Sequence, residues 1–317
     1  MKIVNSNNAS AFMLLNAILW GSSYIWSKIL LGYLPYFTIL AIFSLGGLAV
    51  LTVAYHKRIR TIARRTVLIG MSIGGFSILS NIFCMLALRS TSSSNTAFIV
   101  QMSVIITPLL MSVKEKKFPG GRGVFSTLAA MAGLLFLTCD FSNFTFNPGD
   151  LFALANALFF SLYLASMKIY AGRTDPVQFT FMQHVISSIV FVSMAFGFEA
   201  RQIDFAGVNM FVIAVLVLSI VISVSTILIQ SSAIQFIRPE KATVIYTMEP
   251  VAAAVFAWLL LGERLSGARA FTGCLLILIA IAVTSGEKRE AGRKRKVGKI
   301  GRPVSGFYSM DSKVLNK

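Results

Sequence analysis

Ten apolar segments, separated by short polar stretches, occupy almost the whole chain before residue 286. They span about residues 11–31, 36–55, 67–88, 95–113, 123–139, 150–171, 177–198, 207–230, 240–261 and 268–285. A helix needs roughly 20 apolar residues to cross the hydrocarbon core of a bilayer. The pattern therefore predicts an all-α integral membrane protein with ten transmembrane helices.

Charged residues are few and lie between these segments. They make up 13% of the chain, whereas soluble domains average about 25%. The net charge of +17 could indicate nucleic acid as a partner, but the basic residues lie between the apolar segments and in a tail over residues 286–317. We therefore expect membrane lipid and a small-molecule substrate as partners, and no nucleic acid. The three cysteines predict neither a disulfide framework nor a metal site, and we expect no cofactor.

The distribution of Lys and Arg predicts the orientation of the chain. If the N-terminus is cytoplasmic, 24 of these residues lie on the cytoplasmic side and 5 on the other. Cytoplasmic loops carry the excess of positive charge in membrane proteins. We expect a protein of the cytoplasmic (inner) membrane with both termini in the cytoplasm, and we leave the oligomeric state open.

The two halves of the sequence resemble each other. At an offset of 140, Asn16 and Lys28 match Asn156 and Lys168, and Trp20 lies opposite Phe160. At an offset of 146, residues 87–138 align without a gap on residues 233–284. Five segments per half is an odd number, so the halves must cross the membrane in opposite senses. Two inverted five-helix repeats, over residues 11–145 and 146–285 after a cytoplasmic N-terminus of residues 1–10, are typical of secondary transporters.

Short motifs add a family resemblance. Residues 20–24 (WGSSY), with Lys28 eight positions after Trp20, resemble the drug/metabolite transporter superfamily, and in particular proteins with two EamA-type domains. Residues 248–250 (MEP) and 261–265 (LGERL) are similar to the repeat signature of that family, and residues 95–99 (NTAFI) to its start in the first half. The resemblance implies ten helices and transport of a small metabolite or drug-like compound.

Polar and aromatic side chains at helical spacing are candidates for substrate binding. On the eighth segment Ser219, Ser223, Thr226 and Gln230 share one face, and Trp20 belongs to a similar stripe on the first segment. Such residues also serve as packing contacts between membrane helices. The complete set that we expect to line a shared cavity is Trp20, Asn81, Gln101, Tyr163, Ser223, Gln230 and Tyr246. These residue types suit a neutral or zwitterionic ligand with a ring.

Two ionisable residues lie deep in apolar segments. Glu249 is in the ninth segment and His184 in the seventh. Ionisable groups are costly inside a bilayer and often mark ion or substrate pathways. Both residues are therefore candidates for coupling transport to protons, although each could instead stabilise helix packing.

The sequence favours a transporter over other classes of membrane protein. It lacks the His-Glu-x-x-His, Gly-x-Ser-x-Gly and glycine-rich phosphate motifs of enzymes. A channel, scramblase or receptor remains the alternative to a carrier. We expect a secondary transporter, and an exporter, that works by alternating access; proton coupling is left open.

The predicted topology can be tested with single cysteines in a background without Cys84, Cys139 and Cys274. Arg60→Cys and Ile300→Cys should resist a membrane-impermeant thiol reagent in intact cells, because both positions are expected in the cytoplasm. Thr145→Cys should react. Labelling at position 60 would contradict the orientation and, with it, the inverted repeat.

Overall fold

The computed structural model describes residues 4–90, 99–116, 120–138, 148–170, 173–261 and 267–286. These residues form helices, turns and no β-strand. The helices are α1 (Ala9–Leu31), α2 (Tyr36–Ile59), α3 (Arg64–Ser90), α4 (Ser103–Glu115), α5 (Gly121–Thr138), α6 (Pro148–Tyr170), α7 (Pro176–Met194), α8 (Met210–Ala233), α9 (Pro239–Tyr246), α10 (Met248–Leu261) and α11 (Gly267–Gly286). The basic tail, residues 95–98 and most of the motif at 261–265 lie outside the described residues.

Local sequence signals fix several helix ends. Asp175 precedes α7, and its carboxylate accepts hydrogen bonds from Val177 N at 2.9 Å and Gln178 N at 3.2 Å. The Asn209 side chain caps α8 by accepting from Val212 N at 3.0 Å. Pro239 occupies the first turn of α9, where proline leaves no hydrogen bond unmade. These ends lie within about three residues of the sequence-based boundaries.

The outer surfaces of the helices are apolar. Six described stretches are long and apolar enough to cross a membrane: Tyr36–Ile59, Arg64–Cys84, Pro148–Tyr170, Pro176–Glu199, Met210–Phe236 and Lys241–Leu260. Large apolar side chains such as Val53, Met210 and Phe271 are more than two-thirds exposed. Polar residues such as Asn16, Thr226 and Gln230 are buried instead. This distribution fits a lipid environment, and the protein is a multi-pass membrane protein.

Helices α1 to α5 pack mainly against helices α6 to α11 rather than against one another. The main pairs across the two halves are α3 with α6 and α7, α5 with α11, α2 with α7 and α8, α1 with α8 and α10, and α4 with α6. Among the described residues of the first half, the α1–α2 and α4–α5 contacts are small. The two halves therefore share one core.

The same helix pairs recur when each helix is replaced by its equivalent in the other half. If α1 to α5 are equated with α6, α7, α8, α9 plus α10, and α11, then the α3–α6 pair corresponds to α8–α1, and α4–α6 corresponds to α10–α1. The α2–α7 and α5–α11 pairs each correspond to themselves. In the second of these, a methyl group on Gly133 would lie 2.8 Å from the Gly273 carbonyl oxygen. The α5 and α11 backbones thus approach each other closely.

Polar contacts fasten α2 to α7 at both ends. A π-helical turn, Ala195–Glu199, follows α7 and brings the Glu199 carboxylate to the start of α2. There it accepts from Phe37 N at 2.9 Å, Thr38 N at 2.8 Å and Thr38 Oγ1 at 3.0 Å. At the opposite end, Arg58 lies 3.6 Å from the Asp175 carboxylate. Glu199 is buried, so its contacts are shielded from solvent.

We predict that Glu199→Gln lowers the free energy of unfolding by about 2 kcal/mol, because hydrogen bonds to a charged acceptor each contribute about 1.5–3 kcal/mol. Thermal unfolding of the purified protein in detergent measures this loss. Asp204→Asn is the control, since Asp204 is exposed and accepts from Ala206 N in a loop. Equal melting temperatures for the two variants would show that the Glu199 cap adds little stability.

Candidate functional site

The ninth predicted segment is interrupted near its middle. Helix α9 ends at Tyr246, Thr247 forms a turn, and α10 begins at Met248. The Thr247 hydroxyl donates to the Val244 carbonyl at 2.6 Å, and its amide donates to the same carbonyl at 3.2 Å. Pro250 has no N–H and so cannot bond to the carbonyl of Tyr246, four residues earlier. The interruption exposes helix-end groups in the interior of the molecule.

The first half is interrupted at the matching position. Residues 99–100 are helical, Gln101 and Met102 form a turn, and α4 begins at Ser103. Hydrogen bonds over three residues tighten this turn, from Met102 N to Ile99 O at 3.0 Å and from Val104 N to Gln101 O at 3.0 Å. At the offset of 146 residues, Gln101 corresponds to Thr247. Both halves therefore carry a discontinuous helix at the same place.

Four aromatic rings meet beside the interruption in the second half. Trp20 on α1 lies 6.0 Å from the Phe160 ring on α6 and 5.9 Å from the Tyr246 ring, measured between centroids. Phe160 lies 6.1 Å from Tyr163 and 6.3 Å from Tyr246. We call these four residues, together with Asn16 and Gln230, the central cluster. It joins α1, α6, α8 and α9.

Hydrogen bonds connect the polar groups of the central cluster. The Tyr163 hydroxyl donates to Gln230 Oε1 at 3.1 Å, and Asn16 Nδ2 donates to the Tyr246 hydroxyl at 3.1 Å. All four side chains are at most 2% exposed. Asn16 Oδ1 and Gln230 Nε2 have no hydrogen-bond partner in the described structure. A buried polar atom without a partner costs about 1–3 kcal/mol, so these two atoms are available to a ligand.

Glu249 lies at the edge of the central cluster. It is the second residue of α10, where the helix dipole favours a negative charge, and it is 8% exposed. A methyl group on Gly21, next to Trp20, would lie 2.5 Å from the Glu249 carbonyl oxygen. The backbones of α1 and α10 therefore approach each other closely where Trp20 and Glu249 lie.

Three of the predicted binding residues lie outside the central cluster. Asn81 is exposed, and its Nδ2 donates to the Ser77 carbonyl of its own helix at 2.9 Å. Ser223 is half-buried on α8, about 10 Å along the helix from Gln230. Gln101 is buried in the turn before α4. The structure brings together Trp20, Tyr163, Gln230 and Tyr246 from the predicted set.

His184 occupies the interface between α2 and α7, not the central cluster. Its ring packs on Gly47 and beside Val224, and its Nδ1 lies 2.9 Å from the Thr180 carbonyl oxygen. Because a carbonyl only accepts hydrogen bonds, this contact requires a proton on Nδ1. Among the described residues, no group of three or more His, Cys, Asp or Glu could hold a metal ion.

Two members of the central cluster are absent from the predicted binding set. Phe160 aligns with Trp20 at the offset of 140 residues, and Asn16 lies one turn before Trp20 on the same helix face. The internal repeat therefore contained the signal for Phe160. Spacing alone could not show that the equivalent residues of α1 and α6 touch each other across the two halves.

Comparisons with known proteins find a relative and a solved structure that are similar to this chain. An uncharacterized transporter from Archaeoglobus fulgidus is 27% identical over 216 residues, which is 68% of this chain and 68% of that protein. A solved crystal structure superposes with a TM-score of 0.73 over 91% of this chain and 99% of that chain. The sequences are 19% identical, so this likeness concerns the fold alone.

The family comparison covers both halves of the chain separately. The sequence profile of the EamA-like transporter family matches residues 7–139 and again residues 147–286. Together these two matches include every described helix. The chain therefore belongs to the EamA-like transporter family.

Proposed function

We propose that the protein is a secondary transporter that carries a small molecule across the cytoplasmic membrane by alternating access. The observation that carries this proposal is the pair of discontinuous helices at repeat-related positions, one of them beside the central cluster. In secondary transporters, discontinuous helices of this kind form substrate sites near the middle of the bilayer. The substrate would contact the rings of Trp20 and Phe160, which are half-buried.

The proposed architecture is two inverted five-helix repeats over residues 11–145 and 146–285, which cross the membrane ten times. Two observations support it: helix pairs recur when each helix is replaced by its equivalent in the other half, and the family profile matches each half separately. The excess of Lys and Arg on one side supports cytoplasmic termini. The same orientation places residues 1–10 and the basic residues 286–317 in the cytoplasm.

The described conformation is closed around the central cluster. Tyr163, Gln230 and Tyr246 are at most 2% exposed, so a substrate reaches them only after the helices move. At the end of α6, Lys168 Nζ donates to the carbonyls of Ile234 and Gln235 at 3.2 and 2.9 Å. In the proposed topology this contact closes the cytoplasmic side, and export would require it to open first for substrate entry.

Flux measurements in proteoliposomes test the proposal. A screen of metabolites should identify a substrate whose uptake saturates with concentration and accelerates when unlabelled substrate is present on the opposite side. Both properties follow from a site that faces one side at a time. Unsaturated, bidirectional flux would indicate a pore and contradict the proposal.

We predict that Trp20→Ala and Gln230→Ala each reduce transport at least about fivefold, since each removes about 1–3 kcal/mol of ring or hydrogen-bond contact with the substrate. Initial uptake rates, normalised to the amount of protein in the vesicles, measure the loss. Leu218→Ala is the matched control for α8, because Leu218 faces outward and is 41% exposed.

Asn81→Ala tests whether the substrate contacts the central cluster or the whole set of residues predicted from the sequence. Asn81 lies outside the central cluster, so this variant should transport at nearly the normal rate. Equal losses in the Trp20, Gln230 and Leu218 variants would show that the polar faces of α1 and α8 serve packing instead of binding.

We propose Glu249 as the residue that couples transport to protons. It is buried and is the second residue of α10. Glu249→Gln keeps the shape of the side chain but cannot exchange a proton. Uptake by this variant should no longer depend on pH, as measured in vesicles buffered at a series of equal internal and external pH values.

His184→Gln is the comparison for this experiment, because His184 contacts α2 rather than the central cluster. It should keep the pH profile of the unmodified protein. A Glu249→Gln variant with a normal rate and a normal pH profile would assign Glu249 to helix packing and remove it from the coupling mechanism.

A further inference from the structure

The connection between α2 and α3 concentrates positive charge at one end of the molecule. Residues 57–65 include five Lys and Arg residues and no acidic residue. All five are exposed: Lys57, Arg58, Arg60, Arg64 and Arg65. Arg58 lies 3.6 Å from the Asp175 carboxylate, but the other four side chains have no ion pair with another described residue. We call residues 57–65 the basic loop; four of its positive charges are available to an anion.

The backbone of the basic loop is attached to the start of α7. Tyr55 has non-helical backbone angles inside α2 (φ −129°, ψ 25°), so the last turn of α2 departs from the axis of the helix. Gln178 Nε2 on α7 donates to the Arg58 carbonyl at 2.8 Å and to the Thr61 hydroxyl at 3.4 Å. The Thr61 hydroxyl donates in turn to the Arg58 carbonyl at 3.0 Å. These contacts hold the basic loop over one end of α7.

Helices α2 and α3 flank α7 on different sides. Both pack on α7, but Gly47 of α2 faces the His184 ring, whereas Gly70 of α3 faces the Met182 side chain. At 3.6 residues per turn, Met182 and His184 point about 160° apart around α7. The arc of α7 between these two contacts is therefore the floor of a groove whose walls are α2 and α3.

The groove is apolar and runs away from the basic loop. Gln178, Val185 and Ile189 fall within the floor arc, about 100–140° around α7 from His184. Val185 is half-buried and Ile189 is 58% exposed. The distance from Gln178 to Ile189 is about 16 Å along the helix, which is close to half of the ~30 Å hydrocarbon core of a bilayer. The groove thus extends from the basic loop through about one leaflet.

We propose that the basic loop and this groove bind an anionic phospholipid, with its phosphate at the loop and one acyl chain along α7. Guanidinium groups match phosphate oxygens with parallel hydrogen bonds, and basic segments next to membrane helices attract anionic lipids. A zwitterionic lipid would bring its own ammonium group among the positive charges, and a free phosphate would leave the apolar floor uncovered. The proposal adds a lipid partner and does not depend on the transported substrate.

Competition binding to the purified, full-length protein in a neutral detergent tests the chemistry, with radiolabelled dioleoylphosphatidylglycerol as the probe. Dioleoylphosphatidylcholine has the same chains without net charge, and glycerol 3-phosphate has an anionic phosphate without chains. We expect saturable binding of the probe, and both competitors should displace it at least about tenfold less well than unlabelled dioleoylphosphatidylglycerol does, because each lacks the charge or the chains.

Every other result of the competition overturns the proposal. Equal displacement by dioleoylphosphatidylcholine would show a general contact with lipid chains. Equal displacement by glycerol 3-phosphate would show a site for small anions, and a probe that does not bind saturably would show no site. The experiment needs no variant, so a folding defect cannot obscure it.

A triple variant locates the charge that is responsible. Lys57→Gln, Arg60→Gln and Arg64→Gln in one chain should weaken binding of the probe at least about tenfold, because they remove three of the four available charges. Arg58 stays unchanged because it contacts Asp175.

The matched control removes the same number of charges from the connection between α4 and α5. Lys114, Lys116 and Arg122 are exposed, and the proposed topology places them on the same side of the membrane as the basic loop. With glutamine at all three positions, the protein should bind the probe within about twofold of the unmodified protein. Equal losses in the two triple variants would mean that net positive charge suffices, and the proposed site would be wrong.

Fluorescence quenching locates the acyl chain. A bimane label is attached to Ile189→Cys in a background without the native cysteines, and to Leu278→Cys as the control, since Leu278 is 47% exposed on α11, which packs mainly on α5. Phosphatidylglycerol with brominated chains should quench the label at position 189 more strongly than brominated phosphatidylcholine at the same mole fraction, and both should quench equally at position 278. Equal quenching by the two lipids at position 189 would overturn the groove as the binding site.

Discussion

The packing of each half of the chain against the other half is the constraint on which the rest of the structure depends. Helices α1 to α5 find most of their neighbours among α6 to α11. The hydrogen bonds of Glu199 and the Arg58–Asp175 contact fasten α2 to α7 at both ends. One half therefore cannot rotate against the other as a rigid body without breaking the core. In the proposed alternating access, the units that move would each contain helices from both halves, such as the α2–α7 pair.

The sequence predicted an all-helical membrane protein, because length and hydropathy suffice to identify an apolar helix, and six described stretches are long and apolar enough to cross a membrane. The start of α2 at Tyr36 and the turn before α7 agree with the predicted boundaries. The sequence did not predict the interruption at Thr247, where a single turn residue separates α9 from α10. The π-helical turn that carries Glu199 also left no signal, because its role depends on the start of α2, some 160 residues earlier.

The sequence likewise predicted only part of the candidate site. Trp20 and Gln230 were predicted to share a cavity, and both belong to the central cluster. Asn81 was predicted with them but bonds to its own helix on an exposed face. Helical spacing shows which side chains share a face, but it cannot show which neighbouring helix that face meets. Only the contacts between the two halves decide this, and they separate Asn81 and His184 from the rings.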